Sequence, residues 1–239
     1  MHIPLSDYDL VLFDVQTKNL AAAAERTKRM QFVTGVTAPI HRYHPAIIAQ
    51  AFASLDILYP GRIGLGLGTG ESMNETPLGF DWPRPKARLK RVIEAAQIIS
   101  KLWYTTTNND NNGNDIKRTS NYANEEEDGF VYFNGEYFLI RNAKLYSRPT
   151  SHIPIFMAAA GPESAKASAK YSDGLITFLK AKESQKILDV FDRTIKKDGK
   201  GDTNNNIRNS KQKIDEYRYR IQITMNIHST PQSFGELLC

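Results

Sequence analysis

RIGLGLGTGESMNETPLGFDWPRPKARLKRVIEAAQIISKLW, residues 62–103, decides the fold. Ile63, Leu65 and Leu67 alternate with Gly64 and Gly66, the composition of a buried strand that a second backbone approaches closely. The strand runs into Gly68-Thr69-Gly70-Glu71, a glycine turn that delivers one carboxylate. After a polar loop with Pro83 and Pro85, the apolar spacing predicts an amphipathic helix from about Ala87 to Trp103. A strand, a turn carrying an acid and a helix form the unit of an α/β enzyme, which assembles its site at strand C-termini.

Upstream, residues 45–58 read as a helix opened by Pro45 in its first turn and stopped by Tyr59-Pro60-Gly61. His41-Arg42-Tyr43-His44 is the loop before it. Residues 31–36 read as a strand ending in Gly35-Val36-Thr37-Ala38-Pro39, whose small side chains let a flat ligand come close. Asn19 is a candidate cap for a helix over residues 20–26, which has basic residues at its end. Leu10-Val11-Leu12-Phe13 has the composition of a short strand, with nothing before it to pair with.

Downstream, residues 105–128 are Asn-rich and nearly free of large aliphatics, a polar insertion rather than core. Residues 130–140 predict a hairpin turning at Asn134-Gly135. Further strands are expected at 154–158, 173–178 and 219–225, with helices over 163–171 and 184–197 and a second polar insertion at 196–213. Strand–helix alternation means a parallel sheet in one domain spanning residues 1–239. A doubly wound sheet and a βα barrel both fit, with too few units for a complete eight-fold barrel.

Composition sets the outer bounds. A chain of 239 residues with 41% hydrophobic content can bury a core, and a charge of +5 concentrated in the polar segments gives little reason to expect nucleic acid. The sole cysteine, Cys239, rules out an internal disulfide or a cysteine metal cluster, which fits a reducing cytoplasm. No apolar run has the length of a membrane span, and no secretory signal opens the chain. His2, His41, His44, His152 and His228 show no metal-ligand spacing, so no catalytic metal is expected.

Glu71 is the leading acid–base candidate, against the plainer roles of capping the next helix or pairing with Arg42. Gly64, Gly66, Gly68 and Gly70 are out of phase with a dinucleotide fingerprint, because most lie within the strand. Ala158-Ala159-Ala160-Gly161-Pro162 precedes a helix and could present backbone N–H groups to an anion, or only pack tightly. Lys180 and Lys182 are candidate phosphate ligands or simply solvated lysines. Trp82 and Trp103 read first as packing groups.

Three stretches resemble one family. They are IHRYHPAIIAQAFAS (40–54), the GTGESMNE block with its partners Gly79, Trp82-Pro83 and EAAQIISKLW, and residues 133–177 with FNGEYF, AKLY, AAAGP and SDG. Together they look like the luciferase-like oxidoreductases, in the branch that uses the deazaflavin coenzyme F420. The resemblance implies a (β/α)8 TIM barrel, here expected to be incomplete at both ends, and hydride transfer between an alcohol or sugar phosphate and the cofactor. It puts the acidic catalytic residue, expected to act in proton transfer at the substrate hydroxyl, on Glu71 and cofactor contacts on Thr69, Gly70 and Asn74. It puts a non-prolyl cis peptide at Gly35-Val36, with a further contact on Ala38. Phosphate-cradling residues fall on Ala160 and Gly161, with Glu163 nearby, and a substrate-binding lysine on Lys180 or Lys182. The histidine that relatives use as base has no counterpart, and His2 does not match it. FMN as cofactor with monooxygenase chemistry, and a non-catalytic cofactor-binding subunit, are the rival expectations. A small-molecule substrate, a homodimer and no membrane partner complete them.

Overall fold

The computed structural model describes residues 10–13, 17–105, 129–179, 181–200 and 219–222. Six strands, β1 (Leu10–Phe13), β2 (Gln31–Thr34), β3 (Ile63–Leu67), β6 (Ile155–Ala158), β7 (Gly174–Thr177) and β8 (Tyr219–Gln222), form one sheet in that order. Every neighbouring pair is parallel. All five residues of β3 and all four of β7 are buried, as expected of strands covered on both faces. Helices α1 (Thr17–Glu25), α2 (Pro45–Leu58), α4 (Pro85–Tyr104), α5 (Pro162–Tyr171) and α6 (Ala181–Lys200) alternate with these strands. Strands following one another in space as in sequence form the open arc of a βα barrel, without the reversal of order that marks a doubly wound sheet.

Several boundaries differ from the sequence expectations. Leu10–Phe13 is indeed a strand, and its partner is β2, which follows it. Asn19 lies inside α1, which starts two residues earlier at Thr17. The helix expected from Ala87 begins at Pro85, because a proline needs no N–H partner in a first turn. Residues 196–200, read as polar insertion, continue α6. Residues 106–128, 201–213 and 223–225 of the expected insertions and last strand lie outside the described residues. The hairpin strands β4 (Val131–Asn134) and β5 (Leu139–Ala143) are joined by four residues rather than a two-residue Asn-Gly turn.

The reason for the longer turn is Glu94 of α4. Its carboxylate accepts hydrogen bonds from the backbone N–H groups of Glu136, Tyr137 and Phe138 at 2.8, 3.0 and 3.1 Å. Opening the turn to face this acceptor docks the hairpin on α4. Trp103 Nε1 donates to the Ala49 carbonyl at 2.8 Å and ties α4 to α2. The main core, from Leu20 and Phe52 through Leu65, Ile98, Ile99 and Ile153, lies between these helices and the sheet. A smaller cluster of Ala165, Leu175, Ile187 and Phe191 seals α5 and α6 to β7.

At the N-terminal ends of the strands, buried polar groups brace the arc. Asp56 is fully buried and accepts from the N–H groups of Gly61, Thr150 and Ser151 and from both hydroxyls of the last two. Burial alone raises its pKa, but the bonds from Ser151, Gly61 and Thr150 outweigh burial and hold the carboxyl below its ordinary value. His152 bridges the Tyr104 hydroxyl at 3.0 Å and Asp173 at 3.2 Å. Conserving chemistry for a reaction is not the pattern at this end of a βα sheet; bracing is.

Candidate functional site

The site grows from an irregularity between β2 and β3. Val33 pairs with Gly64, and the next contact is an isolated parallel bridge from Thr37 to Leu67. Four steps on one chain therefore match three on the other, so Gly35 and Val36 bulge from the ladder. The Gly35–Val36 peptide bond is cis, at the position where the resemblance implies one. Buried hydroxyls fasten the bulge at its base. Thr34 Oγ1 accepts from Gly66 N at 3.0 Å and donates to Gly66 O at 3.1 Å, while Thr37 Oγ1 donates to Thr34 Oγ1 at 3.2 Å.

Close approach explains the glycines of β3 and its turn. A methyl group on Gly66 would overlap the Thr34 carbonyl, and one on Gly68 would overlap Val36 Cγ2. Gly70 sits at φ +68°, where a side chain is strained; a methyl there would stand 3.0 Å from Ala38 Cβ and 3.6 Å from Trp82 Cη2. The dinucleotide-loop alternative is thereby replaced: these glycines let the 35–40 segment lie against β3. Val36, Ala38, Gly68 and Gly70 converge, and Ala158 of β6 borders them, its Cβ 3.6 Å from a methyl on Gly68. The bordering side chains are apolar, from the methyls of Ala38 and Ala158 to Val36, Ile40 and Trp82. The result is a shallow floor at the C-terminal ends of β2, β3 and β6, walled by Trp82, which stacks under Arg88 at 4.4 Å.

Glu71 stands at the edge of this floor, exposed, at the N-cap of the short helix α3 (Ser72–Glu75). Both plainer roles considered for it are absent: its side chain makes no capping bond, and Arg42 pairs with Glu75 at 3.2 Å. Asn74 is exposed in the same turn, and its N–H donates to Glu71 O at 3.1 Å. Thr69 is half-buried between Gly68 and Gly70. His44, the last residue of its loop, caps α2: its Nδ1 accepts from Ala46 N at 3.2 Å. Burial holds its pKa below the ordinary value.

The remaining candidates are more dispersed. Gly161 caps α5, and its N–H already donates to Ser164 Oγ at 3.2 Å, a long bond that an anion would have to displace. Ala160 is exposed beside it, and Glu163 pairs with Lys166 at 2.7 Å. Lys182 is exposed in the first turn of α6, and Lys180 lies outside the described residues. Sequence reasoning missed Glu75, which is fully buried although its neighbours in sequence are exposed. A charged residue at the inward position of a single helical turn gives no periodic signal to find.

The residues present fit a flat, uncharged ring: Gly68, Gly70, Ala38 and Ala158 carry no side chain beyond a methyl, and Val36, Ile40 and Trp82 add only apolar surface beside them.

A curled, all-parallel βα sheet with its helices is a half-barrel of the α/β class. The chain belongs to the luciferase-like monooxygenase family, whose model matches residues 16–209. It is 40% identical over 158 residues to F420-dependent glucose-6-phosphate dehydrogenase of Nakamurella multipartita, covering 66% of this chain and 40% of that protein. It is also 40% identical over 172 residues to F420-dependent hydroxymycolic acid dehydrogenase of Mycobacterium tuberculosis, covering 72% and 41%. The solved structure of an F420-dependent secondary alcohol dehydrogenase with an F420-acetone adduct superposes with a TM-score of 0.65 at 32% identity, over 77% of this chain and 50% of that one. Coenzyme F420-dependent tetrahydromethanopterin reductase of Methanopyrus kandleri, at 20% identity and a TM-score of 0.62 over 80% of this chain and 54% of that one, shares the fold. The chain thus spans about two fifths of the length of the curated relatives it matches. No described helix is long and apolar enough to cross a membrane.

Proposed function

We propose that this chain carries the cofactor floor and the proton-handling carboxylate of a coenzyme F420-dependent oxidoreductase acting on an alcohol or sugar phosphate. In this reading the arc belongs to a complete (β/α)8 barrel. The observation that carries the proposal is the Gly35–Val36 bulge set against Gly68 and Gly70, with Glu71 at its rim making no capping bond and no ion pair among the described residues. The names of the relatives point the same way.

Gly35, Val36 and Ala38 would back the ring, Thr69, Gly70 and Asn74 would hold its polar edge, and Ala160, Gly161 and Glu163 would line the approach of its phosphate-bearing tail. When bound, the deazaflavin supplies the hydride-accepting ring. Glu71 takes the hydroxyl proton as the carbon-bound hydrogen leaves as hydride, so charge and atoms balance in the carbonyl product. Trp82 and the apolar floor keep water from the reacting carbon. Lys182, with Lys180, would meet an anionic substrate group.

Turnover of the deazaflavin with a panel of secondary alcohols and sugar phosphates, compared between the parent and Glu71→Gln, tests the reading. At least about a hundredfold loss of kcat is expected, with cofactor affinity kept within about threefold. A Gln variant as active as the parent rules out Glu71 as the proton acceptor. The monooxygenase description of the matched family keeps oxygen chemistry, for which FMN would be the cofactor, as a second reading. Tight cofactor binding without any turnover would instead favour a non-catalytic subunit.

A further inference from the structure

The segment after Glu71 is held in an unusual way. Helix α3 is one turn long, and its sole buried residue is Glu75; the 3-10 turn that follows, Thr76–Leu78, buries none. A carboxylate therefore sits where a short amphipathic turn would normally place an aliphatic side chain. Glu75 is fully buried, and its Oε1 receives Arg42 Nε at 3.2 Å. Burying a carboxylate is costly unless it is paired, and an apolar residue would serve stability as well or better. Something other than stability is the better reason for the pair.

Its position supplies that reason. Arg42 lies in the loop between β2 and α2, the loop that carries Val36 and Ala38. That loop is fixed on both sides of Arg42: Arg91 Nη1 donates to the Ile40 carbonyl at 2.9 Å, and His44 caps α2. A second, weaker tie joins the same two loops, the stacking of His41 on Phe80 at 4.8 Å.

We propose that Glu75 is a positioning residue: clasped by Arg42, it fixes the turn bearing Glu71 and Asn74 against the loop bearing Val36 and Ala38. The inference rests on the roles given to Asn74 and Glu71 above, and extends them to a group that touches neither cofactor nor substrate. The clasp sets the distance between the two walls of the floor, so its loss degrades ligand binding through Asn74 rather than through the fold as a whole.

Two arms test this on the purified full chain. The first is amide hydrogen exchange without ligand. Glu75→Gln is expected to speed exchange at Asn74 and Gly79 by at least about tenfold while amides within α4 keep their rates. The second is a double-mutant cycle on the fluorescence-measured Kd for coenzyme F420. Glu75→Gln alone should weaken binding by about tenfold, and by less than about twofold in an Asn74→Ala background. A merely structural Glu75 would give additive effects. If Glu75→Gln does not fold, the paired variant Arg42→Met/Glu75→Leu, which breaks the clasp without leaving a buried charge, should reproduce both results. Unchanged exchange, or additive losses in the cycle, overturns the proposal. If the parent binds no F420, the functional reading fails instead, and the same cycle run with FMN decides the positioning role.

Discussion

Replacing Gly68 by alanine probes the floor directly. Gly68 is outside the left-handed region, so its backbone accommodates alanine and the effect is steric. The new methyl overlaps Val36 Cγ2, and Ala158 Cβ stands 3.6 Å away on the other side. Val36 is β-branched and has few rotamers into which it can retreat. Overpacking of this kind costs about 1–3 kcal/mol. For a chain of this size that is a fall in Tm of roughly 2–4 °C per kcal/mol. Removing the obstructing methyl should undo it, because with Val36→Ala the nearest remaining atom is the Cβ of residue 36 at 3.2 Å. Thermal unfolding by circular dichroism would therefore rank parent, Gly68→Ala/Val36→Ala and Gly68→Ala in descending Tm. F420 affinity should fall in Gly68→Ala and recover in part in the double variant. A Gly68→Ala chain as stable as the parent, or one that Val36→Ala does not rescue, would refute the packing of the bulge on β3.

Other consequences follow from the braces. Glu94→Ala leaves three backbone donors of the β4–β5 turn without their carboxylate, and should lower urea-derived stability by about 1–3 kcal/mol with little effect on cofactor affinity. Asp56 has a folded-state pKa below its unfolded one, so its contribution is fully present above the unfolded value near 3.8 and is lost as pH falls through the folded value. Asp56→Asn should accordingly be less stable at neutral pH and lose less stability than the parent on acidification below about pH 4, measured by urea titrations across pH. Desolvation lowers the folded-state pKa of His44, so the stability of its neutral ring is fully present above the unfolded value of 6.5 and is lost as pH falls through the folded value. His44→Asn, which keeps an N-cap acceptor, should remove that part of the dependence between pH 5 and 7, read from the same titrations.

The features most legible in the sequence were those written in local pattern. Alternating aliphatics and glycine gave β3, Pro45 gave the start of α2, and the order of strands and helices gave a parallel sheet. The motif resemblance carried the cis bond at Gly35–Val36, which no periodicity encodes. What stayed hidden depends on partners distant in sequence. The four-residue hairpin turn answers to Glu94, more than forty residues upstream, and overrides the Asn134-Gly135 signal. Whether Glu71 was a cap, a partner of Arg42 or a free acid turned on Glu75 claiming the arginine, a contact between two loops. The phase of the glycines already argued against a dinucleotide loop, but which backbone each glycine lies against depends on the strand register.

The most direct test of the account is a fluorescence titration of the purified chain with coenzyme F420 and, separately, with FMN. Saturable F420 binding that Gly70→Val abolishes is the predicted result, since a branched side chain at φ +68° would push into Ala38 and Trp82. Saturable binding of FMN alone, or F420 binding untouched by Gly70→Val, would contradict it.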